Sequence, residues 1–434
     1  MEPDHLSFAL RHLHEVYGEY VSGSIPLSFD DLDKPVDTSP GYPWMLWYPD
    51  ERALLESEPE QYEAMWHELD SDETVRIVWY LFGKNEMVKN EKLAAGDIRV
   101  ICCAPAPFAR CQGRLDHDFN RRFKQAHLLT ESAVGFTPFY GGVDKLAQLF
   151  VEYSWCVESD FKRFDGTIPA EVLWLVRKFR WDMFLPSHKT HSTYRRFFNV
   201  SANLIDKWVL GPDGVVHHVE WGNPSGQMST TIDNCLVNSF VSAYVISKVY
   251  GEIPYQLVVY GDDRLLGMNV QPLPLDEQKV MSEVFGMALP FSKVKVENSL
   301  EGLSFCGFSF LKERGRWFPA FEERKLLASL ERPAQKLPSV EVYYGKLMSI
   351  CLLLYKTSWF ERLYRRLAEL SDELSIWLPP RHWFDLVYMD GGGPKEPWIN
   401  RLVQNLSDDV AESVRGQVQD LPRRISNRMP PLPR

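Results

Sequence analysis

Two stretches of the 434-residue sequence place carboxylates where apolar runs break off. In QLVVYGDDRLLGM (256–268), Gly261, Asp262 and Asp263 separate two runs rich in β-branched and aromatic residues, the pattern of a β-hairpin with acids at its tip. In ESDFKRFDGTIP (158–169), Asp160 closes a strand-like run and Asp165 follows in the loop before a helix. Taken singly, these acids are explained by the tolerance of Gly and Asp for turns and helix caps. Taken together they admit another chemistry. If the two strands are neighbours, Asp160 and Asp262 meet beside Asp263, and carboxylates about 4 Å apart repel by roughly 4 kcal/mol at an effective dielectric near 20. Such a cluster needs a counter-charge. Oxygen-only ligands suit Mg²⁺, and two such ions roughly 3.5–4 Å apart would clamp the entering and leaving oxygens of a phosphoryl transfer.

Two further stretches supply groups for a nucleotide. GNPSGQMSTTIDN (222–234) puts Ser225 and Gly226 in a loop entering a helix that carries Thr230 and Asn234. Ser, Thr and Asn are common helix caps, but a helix also sets Thr230 and Asn234 one turn apart on one face, where a hydroxyl and an amide can bind a sugar. GKNEMVKNEKLAAGDIRVICCAP (83–105) offers Lys84, Lys89, Lys92 and Arg99 around a Gly-Asp turn. The pattern predicts two strands with basic side chains turned inward, or else a solvated charged hairpin. On a triphosphate, Arg binds bidentately and Lys acts as a point charge.

The elements that must position these groups follow from periodicity. A strand over 152–160 leads through a turn to Thr167 and Pro169 and then a helix, AEVLWLVRKFRWDMF. From Gln227, Ile232, Leu236, Phe240 and Tyr244, with Val237, Val241, Val245 and Val249 beside them, predict a helix with one core face, ended by Gly251. After the hairpin come an amphipathic helix around 276–287, a strand pair in LSFCGFSFLK and GRWFPAF, and a mainly helical region past residue 325. The expectation is a small mixed sheet flanked by helices with a helical C-terminal third. The tail PRRISNRMPPLPR (422–434) has the composition of a disordered segment.

Composition limits the alternatives. No apolar run approaches the roughly 20 residues that cross a bilayer, and the N-terminus lacks a secretory pattern, so a cytosolic setting is expected. The seven cysteines are scattered without a CxxC pair, which predicts reduced, mostly buried thiols, and His188 with His191 lacks a second ligand pair of zinc-like spacing. A net charge of -11 argues against nucleic acid only until its distribution is considered. Residues 50–73 hold ten acids against Arg52 alone, whereas residues 84–124 hold nine Lys and Arg against five acids. An acidic outer face and a basic groove are therefore expected.

In this order the blocks resemble the motifs of viral RNA-dependent RNA polymerases of the positive-strand, picornavirus-like supergroup, most of all those of astroviruses. SDFKRFDGTIP is similar to motif A, GNPSGQMSTTIDN to B, YGDDRL to C, PFSKVKVEN to D, LSFCGFSF to E, KNEMVKNEKLAAGDIRVI to F and TSPGYPW to G. The resemblance implies an α+β right-hand polymerase closed by fingertips. Its fingers would be 1–150 with motifs G and F, plus an insertion at 173–219. The palm, a small antiparallel sheet flanked by helices, would be 151–172 and 220–325, and the helical thumb 326–434 with a loose tail. The acidic run would face away from the RNA.

Position by position, the resemblance implies that Asp160 and Asp262, with Asp263 in a lesser role, bind two Mg²⁺, Mn²⁺ being an alternative. Asp165 and Asn234, with Ser225, Gly226 and Thr230 nearby, would read the ribose. Lys92 and Arg99 would meet the triphosphate, with Lys84 more peripheral. Lys293, with Lys295 as the alternative, would protonate the leaving pyrophosphate. Thr38, Ser39, Gly41 and Tyr42 would guide the template, and Phe305, Cys306, Gly307 and Phe308 the primer. The partners implied are an RNA template and primer, ribonucleoside triphosphates and other viral replication proteins, with a start that is either on a protein-linked primer or de novo. The setting implied is the host cytoplasm at membrane-associated complexes, the chain being one product of a longer polyprotein. A reverse transcriptase and a catalytically silent, palm-like RNA-binding scaffold are the rival readings.

Overall fold

The computed structural model describes residues 1–86, 88, 90–333, 336–389, 408, 410–412 and 414, so Lys89 and the tail at 422–434 lie outside the described residues. The first part runs through α1 (Pro3–Val21), α2 (Glu51–Ser57), α3 (Glu60–Glu68), β1 (Val78–Gly83), α4 (Asn90–Ala94), β2 (Val100–Cys103), α5 (Ala106–Gln125) and α6 (Gly142–Gln148). Next come β3 (Trp155–Ser159), α7 (Phe164–Thr167), α8 (Ala170–Asp182), α9 (His191–Ile205), β4 (Lys207–Leu210) and β5 (Val216–Val219). The motif-rich centre is α10 (Thr230–Tyr250), β6 (Tyr255–Tyr260), β7 (Asp263–Met268), α11 (Pro274–Phe285) and β8 (Val294–Glu297). It continues into β9 (Ser304–Phe305), β10 (Phe308–Glu313) and β11 (Arg316–Phe321), and then α12 (Glu323–Glu331), α13 (Val340–Leu353), α14 (Phe360–Leu374) and α15 (Arg381–Met389).

The expected single mixed sheet is three sheets. The central one has the order β6-β7-β3-β8 and is antiparallel throughout. Its apolar runs are continuous because both faces are buried. Val157, Leu257, Val259, Leu266 and Met268 join a core shared with α1, α5, α8 and α10, while Cys156, Val258 and Leu265 join a second core with β10, β11, α13 and α14. The mixed sheet is a different one, β2-β1-β4-β5, in which β1 and β4 run parallel through Val78↔Trp208 and Trp79↔Val209. Strands β9, β10 and β11 form the third.

Helix α10 stops where expected, at Gly251 with φ +79°. It has more than one core face, since every residue from Ile232 to Ser247 is buried. The packing of α1 on one flank and of α8, α11 and β6 on others uses the positions that a periodicity argument assigns to solvent. Helix α8 begins at Ala170 with Pro169 as its extended N-cap, and α11 starts two residues before the expected position.

Much of the basic stretch is consumed inside the protein, which corrects the expectation of a basic groove running from 84 to 124. Arg110 pairs with Glu51 at 2.6 Å, Arg114 stacks on the Trp66 ring at 3.8 Å, and Arg122 pairs with Asp118 at 3.0 Å. Glu51 itself is fully buried, and Asp70 binds Arg195 and Arg196, so the acidic run is only partly an outer face. Buried Arg177 of α8 grips Asp116 of α5 with two hydrogen bonds, 2.8 and 3.0 Å. Burial would raise the Asp116 pKa, but Arg177 and Arg180 overcome it and hold the carboxyl well below its usual range. Asp116→Ala leaves Arg177 charged and unpaired in the interior, so urea unfolding is expected to show a loss of about 3–5 kcal/mol. A loss no larger than that of an average surface substitution would contradict this accounting.

Candidate active site

Strands β6 and β7 are joined by a two-residue turn, Gly261–Asp262, closed by the pair Tyr260↔Asp263. Gly261 has φ +64°, a left-handed conformation that only glycine adopts without strain. Helix α10 holds this turn from below: Asn238 Nδ2 donates to the Gly261 carbonyl at 3.0 Å, and the Gly261 N–H donates to Cys235 Sγ at 3.1 Å. Strand β3 pairs with β7 as Ser159↔Arg264 and with β8 as Ser159↔Val294. One step further along the register, Asp160 therefore lies between Asp263 on one side and Lys293 on the other. Lys293 Nζ donates to Asp160 Oδ2 at 2.5 Å. Lys295 stands opposite Glu158 and pairs with it at 3.0 Å, and Glu158 also accepts from the Ser304 N–H and Oγ at 2.8 and 2.7 Å. Position along the register thus separates the two lysines: Lys293, just before β8, reaches Asp160, and Lys295 reaches the Glu158 carboxylate that ties β9 to the sheet.

Burial and the Asp160 charge raise the Asp262 pKa, with Arg99 and Lys293 opposing. Asp262 still exposes part of its surface to solvent, which moderates the effect. Asp263 is pushed well above the usual carboxylate range, first by burial and then by the charges of Asp262, Asp160 and Glu158, against a hydrogen bond from the Cys306 thiol. A cluster in which the Asp160 charge raises Asp262, and Asp160 and Asp262 together raise Asp263, with oxygen as the sole donor type, fits a hard divalent cation. They do not form a closed cage. Among the described residues, the three-residue group whose ligand atoms all lie within 4.8 Å of one another is Asp206, His218 and Glu220, where Asp206 is already paired with Arg76 at 2.6 Å.

Asp165 lies in α7, where burial and the nearby Asp262 push its pKa up to about 6 against Asn234, Arg99 and Lys84. Asn234 Nδ2 donates to Asp165 Oδ1, so the structure joins these two predicted residues directly. Thr230 is placed differently, its hydroxyl donating to the carbonyls of Pro224 and Gln227 at 2.9 and 3.1 Å, which closes the loop before α10. Ser225 and Gly226 strap their loop to β2: Ser225 Oγ accepts the Cys102 N–H at 3.1 Å, and the Gly226 N–H donates to the Cys102 carbonyl at 3.0 Å. A Cβ on Gly226 would fall 2.4 Å from that carbonyl oxygen, so the approach requires glycine.

The basic segment is not a simple hairpin, because α4 interrupts it between β1 and β2. The Lys84 N–H donates to the Arg99 carbonyl at 2.8 Å, and Glu86 lies near both side chains, 3.8 Å from Lys84 and 3.3 Å from Arg99. These two cations act on Asp165, and Arg99 also on Asp262, whereas Lys92 lies on α4 near Asp97 at 3.9 Å. The order of the cations is therefore Arg99 and Lys84 nearest, with Lys92 outermost. The loop carrying Thr38, Ser39, Gly41 and Tyr42 docks on the start of α5, where the Ala106 N–H donates to the Pro40 carbonyl at 2.8 Å. Phe305 and Phe308 face each other across a turn in which Cys306 and Gly307 have φ of +48° and +80°. Asn238, Cys235, Glu158, Glu86 and Asn223 have positioning roles that sequence reasoning missed. Asn238 was findable, since it follows Asn234 by one helical turn.

This arrangement, an antiparallel sheet presenting aspartates at a hairpin tip against a buried helix, is that of a right-hand polymerase. The chain belongs to the family of viral RNA-dependent RNA polymerases, whose family description matches residues 18–373. It is similar to the non-structural polyprotein 1AB of Turkey astrovirus 2, 33% identical over 77% of this chain and 22% of that polyprotein. It is likewise similar to those of Avian nephritis virus 1, 32% identical over 83% and 25%, and Human astrovirus-1, 34% identical over 77% and 24%. The chain thus spans about a quarter of the curated relatives it matches. Its fold is similar to that of the Sicinivirus 3Dpol RNA-dependent RNA polymerase, with a TM-score of 0.71, 16% identity and coverage of 89% of this chain and 84% of the other.

The folded pKa of Asp263 lies above its unfolded value, so ionising it costs stability once the pH exceeds that unfolded value, near 4. Asp263→Asn, without divalent ions, is expected to melt at a higher temperature than the parent at pH 7. The gain should be on the order of 1 kcal/mol, because a half-buried charge crowded by like charges is removed, and it should shrink below about pH 4. A difference independent of pH would show that charge is not its source.

Proposed function

We propose that this chain carries out template-directed RNA synthesis, joining a primer 3′-hydroxyl to the α-phosphate of an incoming ribonucleoside triphosphate with release of pyrophosphate. The observation that carries this reading is the register that sets Asp160 between Asp263 and Lys293, beside the Gly261–Asp262 turn. Asp160, Asp262 and Asp263 would hold two Mg²⁺, or Mn²⁺, which when bound supply acidification of the hydroxyl and neutralisation of phosphate charge. Arg99 and Lys84, with Lys92 further out, orient the triphosphate and offset its charge. Lys293 Nζ, held at Asp160, donates the proton that the leaving pyrophosphate takes up. Asp165 accepts from the ribose 2′-hydroxyl and Asn234 donates to it. A sugar lacking that hydroxyl forfeits both of these hydrogen bonds, which favours ribonucleotides over the deoxynucleotides of a reverse transcriptase.

In this reading residues 1–150 and 173–219 are fingers, 151–172 and 220–325 palm, and 326–434 thumb. The loop at Thr38–Tyr42 receives template and the turn at Phe305–Phe308 supports the primer. Such a product of a viral non-structural polyprotein would replicate and transcribe a positive-strand RNA genome in the host cytoplasm. It would act with a protein-linked primer and other replication proteins, and reach membranes through them, because among the described residues no helix is long and apolar enough to cross one.

On a primed RNA template with Mg²⁺, Asp262→Ala is expected to lose at least about 10³-fold in elongation while RNA affinity changes little. Near-parental elongation in that variant would sink the metal assignment, and binding without any turnover by the parent would favour the silent scaffold. Lys293→Ala should lower kcat about 10²-fold, as for loss of a general acid, while Lys295→Ala should chiefly lower thermal stability. Equal kinetic losses in the two would remove the distinction between these lysines.

A further inference from the structure

We propose that Asn223 is a positioning residue for ribose selection, holding the Asn234 amide in the one orientation that presents its N–H groups to Asp165 and to the incoming sugar. The proposal rests on the reading of Asp165 and Asn234 as the ribose pair. An asparagine amide can flip, exchanging donor for acceptor with almost no change of shape, so its direction is decided by its neighbours. Asn234 Oδ1 accepts from Asn223 Nδ2 at 2.8 Å, which leaves Nδ2 for Asp165. Flipped, Asn234 would set its oxygen against the Asp165 carboxylate and offer the sugar no donor.

The direction of Asn223 is set in turn. Its Oδ1 accepts from Gln227 Nε2 at 2.9 Å, and its Nδ2 also donates to the Thr230 carbonyl at 3.2 Å. Gln227 cannot reverse, because its Nε2 donates to Asp233 Oδ2 at 2.9 Å and its Oε1 accepts the Ser229 N–H at 2.7 Å. Asp233 is pinned through its other oxygen by Arg180 Nε at 2.7 Å. A buried ion pair therefore fixes the polarity of one amide after another, Gln227, Asn223 and Asn234, all of which are nearly inaccessible to water.

Asn223 also touches the other member of the pair, its N–H donating to the Asp165 carbonyl at 2.7 Å. The preceding residues cannot drift, since buried Lys207 Nζ donates to the Trp221 and Gly222 carbonyls at 2.8 and 2.9 Å.

The test compares a ribonucleoside triphosphate with its 2′-deoxy counterpart on a primed RNA template, reading the ratio of kcat/KM. Asn223→Asp keeps the shape but cannot donate to Asn234, and is expected to lower the ratio at least about fivefold, the worth of one lost hydrogen bond. Gln227→Met, which frees Asn223 to flip, should lower it less. With Asn234→Ala in the background, Asn223→Asp should change the ratio no further, a non-additivity that general loosening would not produce. An unchanged ratio in folded Asn223→Asp and Gln227→Met, or fully additive effects, would overturn the proposal while leaving the ribose pair standing. An unchanged ratio in Asn234→Ala itself would instead overturn the reading of the pair, and the proposal with it.

Discussion

Helix α10 is buried on every side, so each polar side chain it carries must find its partner inside the protein. Those partners are the active-site segments. Asn234 takes Asp165, Asn238 takes the carbonyl of the hairpin turn, and Asp233 takes Arg180 from α8. On the flank facing α1, Ser239 meets Tyr17 and Ser247 meets His5. A solvated helix could leave such groups to water. Here the cost of an unpaired buried amide, about 1–3 kcal/mol, makes the segment bearing Asp165, the hairpin tip and the helix a single unit.

Around that unit the charges divide into two populations. Arg110, Arg177 and Arg180 are buried and matched to Glu51, Asp116 and Asp233, so their charges are spent inside the protein and none is presented to a ligand. Arg99, Lys84 and Lys293 instead stand near an excess of carboxylate, where Asp262 and Asp263 are raised by burial and by their acidic neighbours, Asp160 among them. A chain of net charge -11 can thus act on polyanions, because the relevant quantity is the local field and not the sum. The same carboxylates that repel each other make a cation the natural occupant.

The antiparallel sheet converts sequence spacing into this geometry. Its register brings residues from three distant stretches, at 160, 263 and 293, to one end of adjacent strands. Lys293, just before β8, thereby meets Asp160, while Lys295 on β8 faces Glu158. Two lysines separated by one residue thus meet different carboxylates because they stand at different steps of the register.

The motif blocks, the hairpin around Gly261, the extent of α10 and the burial of most cysteines were legible in the sequence, because each depends on local conformational preference or on residue type. The pair Asp165–Asn234 was legible through resemblance to a family of polymerases, which the family match bears out. Which cations lie nearest the aspartates was not legible. A helix inside the basic segment and internal pairing of the α5 arginines redistributed charges that composition could only count. The parallel pairing of β1 with β4 and the full burial of α10 escaped for the same reason, since both depend on chain segments that meet only in the folded protein. Local preferences act between near neighbours and are written in the order of residues. Register, burial and the matching of hydrogen-bond donors to acceptors act between distant segments, so tertiary structure alone decided them.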